Sequence, residues 1–167
     1  CRPGGTTAGH AREWSRLLAQ LWGANGRRDD WMIEGGRRLF RRTVGDGWDG
    51  ETGGFWYTLD RDGAPRIRDR YWWPCCEGIA AAAFLGAIDD DPFHEDWYRR
   101  IWGFTAAHFI DPDEGGWLPQ LDADLVPAAD PFFGKPDMYH SLQACLIPLL
   151  PPTGSVTHGL ATVGLRV

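Results

Sequence analysis

The chain has 167 residues, 43% of them hydrophobic and 24% charged, which is enough for one domain with a real core and ordinary for a soluble globular protein. A net charge of −6 argues against a nucleic-acid partner, and no apolar run approaches the length of a membrane span. Ten Trp residues are unusual, and aromatic side chains line carbohydrate and small-ligand pockets as well as cores and interfaces.

The chain begins with Cys and continues through Arg2-Pro3-Gly4-Gly5, a turn-forming lead-in. A helix is expected from His10 to Trp22, where Trp14, Leu17, Leu18, Leu21 and Trp22 recur at helical spacing before Gly23 and Gly26 end it. Asp29 or Asp30 caps a second helix, and Arg37, Arg38, Arg41 and Arg42 give it a solvated side. The third helix, from about Tyr71 to Ile88, is apolar all round (Ile79-Ala80-Ala81-Ala82-Ala83-Phe84-Leu85) and is expected to be buried on all sides. A fourth, from about Asp91 to Phe109, keeps Arg99 and Arg100 wet and turns Trp97, Trp102 and Phe104 inward. A fifth opens at Pro136, a residue suited to a first helical turn. Cys75 and Cys76 are adjacent and poor partners for each other. With Cys1 and Cys145 they form no zinc spacing, so free buried thiols in a reducing compartment, the cytoplasm, are expected.

Two loops repeat. Asp49-Gly50-Glu51-Thr52-Gly53-Gly54 through Leu59-Asp60-Arg61-Asp62 aligns without gaps on Asp111-Pro112-Asp113-Glu114-Gly115-Gly116 through Leu121-Asp122-Ala123-Asp124, an offset of 62 positions. Each copy follows an outer-type helix and precedes an inner-type one, the pattern of stacked helical hairpins, and the aromatic residues of the loops suggest short β-ribbons. The repeat places chemistry at one end of the inner helices: His10 and Glu13 on the first, Trp73 and Glu77 on the second, Tyr139, His140 and Gln143 on the third. If these helices run parallel about a common axis, their N-termini converge at one mouth and add positive potential there. Two imidazoles facing a sugar-sized space suit proton transfer near neutral pH.

These segments also resemble a family. Gly9-His10-Ala11-Arg12-Glu13-Trp14, Trp73-Pro74-Cys75-Cys76-Glu77, the aromatic Gly-Gly loop at Gly53-Gly54-Phe55-Trp56 and the His helix from Gly134-Lys135-Pro136-Asp137-Met138-Tyr139-His140 are similar, in order, to motifs of the N-acylglucosamine 2-epimerase superfamily. The resemblance runs from about Arg2 to Leu150, and Lys-Pro-Asp-x-Tyr-His resembles its aldose–ketose isomerase branch. It implies an all-α fold, an (α/α)6 barrel. Only about five helices can be read, so residues 1–152 are expected to form an incomplete barrel, the C-terminal part of a longer enzyme, and residues 153–167 a tail. It implies cofactor-free and metal-free isomerisation of a monosaccharide, such as D-mannose and D-fructose, through a cis-enediol. His10 and His140 would be acid and base, Arg2, Glu13, Trp73 and Glu77 substrate-binding, and Lys135, Asp137, Tyr139 and Gln143 supporting. An open toroid exposes inner helices, so a homodimer is a possible way to cover them.

Four other readings compete. A sugar 2-epimerase of the same superfamily would use the same residues. A carbohydrate hydrolase or lyase would need paired carboxylates, for which Glu13 and Glu77 are the candidates, leaving both histidines without a part. A non-catalytic helical-repeat module would bind carbohydrate on its aromatic face. Metal catalysis is weakest, since His10-x-x-Glu13 is half of a usual site.

Overall fold

A computed structural model describes residues 6–128 and 130–164. Among the described residues six α-helices carry the fold: α1 (Ala8–Ala24), α2 (Trp31–Gly47), α3 (Trp72–Gly86), α4 (Pro92–His108), α5 (Met138–Leu146) and α6 (Val156–Thr162). The apolar helix α3 is central. It packs against α1 on one side and α5 on the other, while α2 backs α1 and α4 backs α3. Residues 72–82 are buried without a break, as a helix with no polar face must be.

Five short strands lie in the connections among the described residues. β1 (Thr58–Leu59) pairs antiparallel with β2 (Pro65–Ile67), and β3 (Arg70–Tyr71), β4 (Gln120–Leu121) and β5 (Pro127–Ala128) form an antiparallel sheet in that order. The second sheet therefore joins the two repeated loops to each other just before α3 begins.

The repeat is structural in detail. Asp49 N–H donates to Gly54 O at 2.9 Å and Asp111 N–H to Gly116 O at 3.0 Å, while Trp48 bridges Phe55 and Ile110 bridges Trp117. Asp60 accepts from the N–H groups of Asp62 and Ala64, and Asp122 from those of Asp124 and Val126. Each Gly-Gly pair sits at positive φ, 80° and 79° in the first copy and 70° and 74° in the second, which explains why both copies need glycine there. A basic residue clamps each loop. Arg70 donates to Asp49 at 2.6 Å in the first, and Lys135 pairs with Asp111 in the second. Lys135 thus holds the loop ahead of α5; with two backbone N–H groups it keeps the Asp111 carboxyl down at about 2.

Some expectations change. Pro136 is not in the first turn of α5. The N-cap is Asp137, whose carboxylate accepts from Tyr139 N–H at 2.9 Å, and Pro136 precedes it. Within the segment read as a tail, Ser155 caps α6, and Gly154 packs so closely on Ala24 that a Cβ would lie 2.8 Å from its backbone. Cys75 and Cys76 are buried thiols, but Cys145 is exposed. On α1 the apolar residues Trp14, Leu17 and Leu21 face outward, Trp14 being 57% exposed, while Arg12, Ser15, Arg16 and Ala19 are buried. The arginines of α2 are solvated except Arg37, which reaches across with Arg41 to pair with Asp89 and Asp91 at the start of α4.

Gly54 tests the loop. Its φ is +79° and an added Cβ would stand 2.4 Å from the Phe104 ring, so Gly54→Ala is expected to cost roughly 2–4 kcal/mol in urea unfolding. Gly50→Ala, in the same loop with nothing within 4 Å, should change stability by less than about 0.5 kcal/mol. Equal effects would mean that neither the φ nor the Phe104 contact holds the turn.

Candidate functional site

The first turns of α1, α3 and α5 meet at one place. Gly9 allows it: a Cβ there would be 2.4 Å from the Trp73 indole, so the chain opposite that ring has to be bare. Asp137 fixes where α5 starts, which brings His140 to the same indole. The Trp73 ring lies 5.1 Å from the His10 ring and 5.7 Å from the His140 ring, centroid to centroid. An open cleft of about 380 Å³ forms here, lined by both histidines, by Glu13 and Asp137, and by Trp72, Trp73, Phe132 and Tyr139. The three helix N-termini add positive potential to it.

Behind the cleft is a buried polar chain. Glu77 follows Trp73 by one helical turn and is wholly buried. Its Oε1 is 2.8 Å from His140 Nδ1, and its Oε2 accepts from Arg16 Nε at 2.6 Å. Arg16 also donates from Nη2 to Glu77 Oε1 at 3.2 Å and to the Tyr139 hydroxyl at 3.5 Å, and from Nη1 to Gln20 Oε1 at 2.5 Å. Burial alone would push the Glu77 carboxyl up, but the bonds from His140 and Arg16 outweigh it and hold it below its ordinary value. Burial likewise opposes the Arg16 charge, and Glu77 and Tyr139 more than restore it.

An ionised carboxylate can only accept, so His140 carries its proton on Nδ1 and directs it to Glu77. In the neutral ring its Nε2, on the other side, then holds the lone pair. The arrangement can take a proton from a group in the cleft and return it, with the carboxylate steadying the imidazolium formed in between.

The residues expected from sequence divide accordingly. His10, Glu13, Trp73, Asp137, Tyr139 and His140 line the cleft. Glu77 does not reach it and cannot touch a ligand there; its oxygens are taken up by His140 and Arg16. Gln143 lies away from the mouth, in a groove with Gln20, Leu142, Leu146 and Val156. Lys135 serves the loop clamp. Arg2 lies outside the described residues.

Arg16 and Arg12 were not expected from sequence. Arg12 is fully buried, with Nε on Pro74 O at 3.2 Å, Nη1 on Thr43 O at 3.3 Å, and its guanidinium 3.6 Å from the Phe55 ring centre. Burial lowers it to about 9. Among the described residues no group of three or more His, Cys, Asp or Glu could hold a metal ion, and no helix is long and apolar enough to cross a membrane.

The chain is similar to known proteins along most of its length. The family profile for N-acylglucosamine 2-epimerase (GlcNAc 2-epimerase) matches residues 1–144. A D-mannose isomerase of Thermobifida fusca is 43% identical over 98% of the chain, and one of Pseudomonas cannabina pv. alisalensis is 41% identical over 96%. The chain spans 40% of the length of each. A crystal structure of a D-mannose isomerase superposes on 89% of the chain and 38% of its own length, with TM-score 0.81 and 30% identity.

The Glu77 carboxylate gives a direct test. Glu77→Gln leaves Arg16 buried without its counter-charge and is expected to cost roughly 3–5 kcal/mol in chemical denaturation at pH 7. Because the folded-state value is depressed, the stability that ionised Glu77 contributes is present above its ordinary value of 4.5 and is lost as pH falls through the folded one. Stability should therefore fall less steeply below pH 4.5 in Glu77→Gln than in the parent chain. Parallel acid limbs would count against a paired, ionised Glu77.

Proposed function

Because the chain belongs to the N-acylglucosamine 2-epimerase family, we propose that it acts as a sugar isomerase, interconverting an aldose and a ketose such as D-mannose and D-fructose. The observation that carries this reading is the pair of imidazoles on one indole, His140 backed by Glu77, at the mouth of an aromatic cleft. Imidazole is the side chain best suited to taking and returning protons near neutral pH.

In this scheme His10 and His140 are the acid and base. One takes the proton from C2 of the open-chain aldose, giving a cis-enediolate, and the other helps deliver a proton to C1. A proton passes between O1 and O2 to complete the reaction. Trp73 and Phe132 cover the apolar face of the sugar, Glu13 binds a hydroxyl or orients His10, and the helix N-termini steady the charge developing on oxygen. Arg2 would hold hydroxyls. The helices α1 to α5 are on this reading one arc of an (α/α)6 toroid, and the work is done without a cofactor.

The test is proton NMR of the chain with D-mannose in D2O. Fructose carrying deuterium at C1 is the expected result, and His140→Ala should slow its appearance by about 10²–10⁴-fold without loss of fold. Deuterium at C2 of an epimerised aldose would mean 2-epimerase chemistry instead. Mannose binding with no exchange of deuterium by the folded chain would replace the enzyme with a binding module.

A further inference from the structure

The arginine behind Glu77 has no part in the scheme above, yet it is 2% exposed and spends four contacts on this one cluster. Taking it into the interior strips the guanidinium of its hydration. A role in holding α1 to α3 could have been filled by apolar side chains of similar size, so its charge needs a reason.

Counting charge supplies one. Arg16 and Glu77 cancel, and the buried cluster is neutral when His140 is uncharged. Without Arg16, the carboxylate would be left in the interior with no counter-charge, and the Glu77–His140 pair would neutralise itself by taking up one more proton. Whether that proton sat on the carboxyl or completed an imidazolium, the pair would no longer be a carboxylate facing a neutral ring with a bare Nε2.

We propose that Arg16 is a positioning residue that, acting through Glu77, keeps His140 a neutral imidazole protonated at Nδ1 and open at Nε2. The inference rests on the proton-transfer reading of this cleft and adds to it a residue that touches no substrate. The other charged groups around the pair leave Arg16 in that position. Arg12, also on α1, acts on Glu77 at longer range and bonds elsewhere, to Pro74 and Thr43. Cys76 beside Glu77 stays a neutral thiol, since burial raises it well above its ordinary value. The Tyr139 phenol accepts from Arg16 and orients it. His10, Glu13 and Asp137 stand at the open rim of the cleft, where solvent screens them more than the interior screens Arg16.

Nitrogen-15 NMR of the histidine rings decides the matter without needing turnover. In the parent chain at pH 7 the His140 ring should show the Nδ1-protonated tautomer. In Arg16→Met the ratio of proton-loaded to unloaded Glu77–His140 pair should rise by about tenfold or more, the change that about 1.4 kcal/mol of lost interaction produces. Arg16→Lys, which restores a positive charge, should bring the ratio most of the way back. Should Arg16→Met lose its fold by circular dichroism, Arg16→Gln, which keeps donors but no charge, serves in its place. An Nε2-protonated ring in the parent chain, an unchanged ratio in the uncharged variant, or no recovery with Lys would each overturn the proposal.

The isomerase assay is read separately. Where the chain turns over mannose, the acid limb of kcat in Arg16→Met should move to higher pH with KM little changed, an effect that a purely structural role would not produce. An unmoved acid limb would overturn the proposal. If the NMR result is as expected and no deuterium exchange occurs with any sugar, the assignment of Arg16 to the ring stands and the isomerase reading falls.

Discussion

The Arg16–Glu77 ion pair ties together the three helices that make the cleft. The arginine is on α1, the glutamate on α3, and the imidazole and phenol that complete the cluster are on α5. A buried pair of this kind is a weak source of net stability, because desolvation consumes most of its attraction. Its consequence here is geometric. Each partner is left with an unpaired buried charge if the helices slide, so the relative register of α1, α3 and α5 is far more narrowly defined than hydrophobic packing alone would make it. The rings of His10, Trp73 and His140 inherit that definition, since each lies within two turns of a member of the cluster.

The repeated loops work at the same end of the molecule. Each copy is closed by an aspartate that gathers backbone N–H groups and is clamped by a basic residue arriving from the segment before the next inner helix, Arg70 before α3 and Lys135 before α5. Arg70 also donates to Ala123 O, and β3 pairs with β4, so the first clamp is bonded to the second loop. Neighbouring hairpins are thereby linked through their loops as well as their helices. The starts of the inner helices are held from both sides, by loops in front and by the ion pair behind.

How much of this was legible in the sequence depends on the kind of residue. His10, Glu13, Trp73, Tyr139 and His140 could be placed because they recur at the starts of helices in a repeated unit and resemble family motifs. The helix α3 could be read as buried because nothing on it is polar except Glu77. The inner face of α1 could not. Trp14, Leu17 and Leu21 recur at helical spacing, yet the buried stripe is Arg12, Ser15, Arg16 and Ala19. The rule that charged side chains face water fails for a helix that borders a polar site, since there burial is decided by available partners. Arg12 finds two carbonyls and a ring, and Arg16 finds a carboxylate. The one sequence signal was the i, i+4 spacing of two arginines with a lone glutamate on the adjacent apolar helix.

The same cluster bears on what chemistry the cleft can perform. Glycoside hydrolysis needs two carboxyl groups that reach the substrate, one to protonate the leaving oxygen and one to act on the sugar or on water. Glu77, one of the two candidates on sequence grounds, has both oxygens engaged and none of its surface exposed. Asp137 is committed in part to capping α5, accepting from Tyr139 N–H. Glu13 is then left without a free partner among the described cleft residues, while His10 and His140 stand against a shared indole. On the proposed reading, a site that uses a buried carboxylate to set the protonation of an imidazole is suited to moving protons on and off carbon or oxygen.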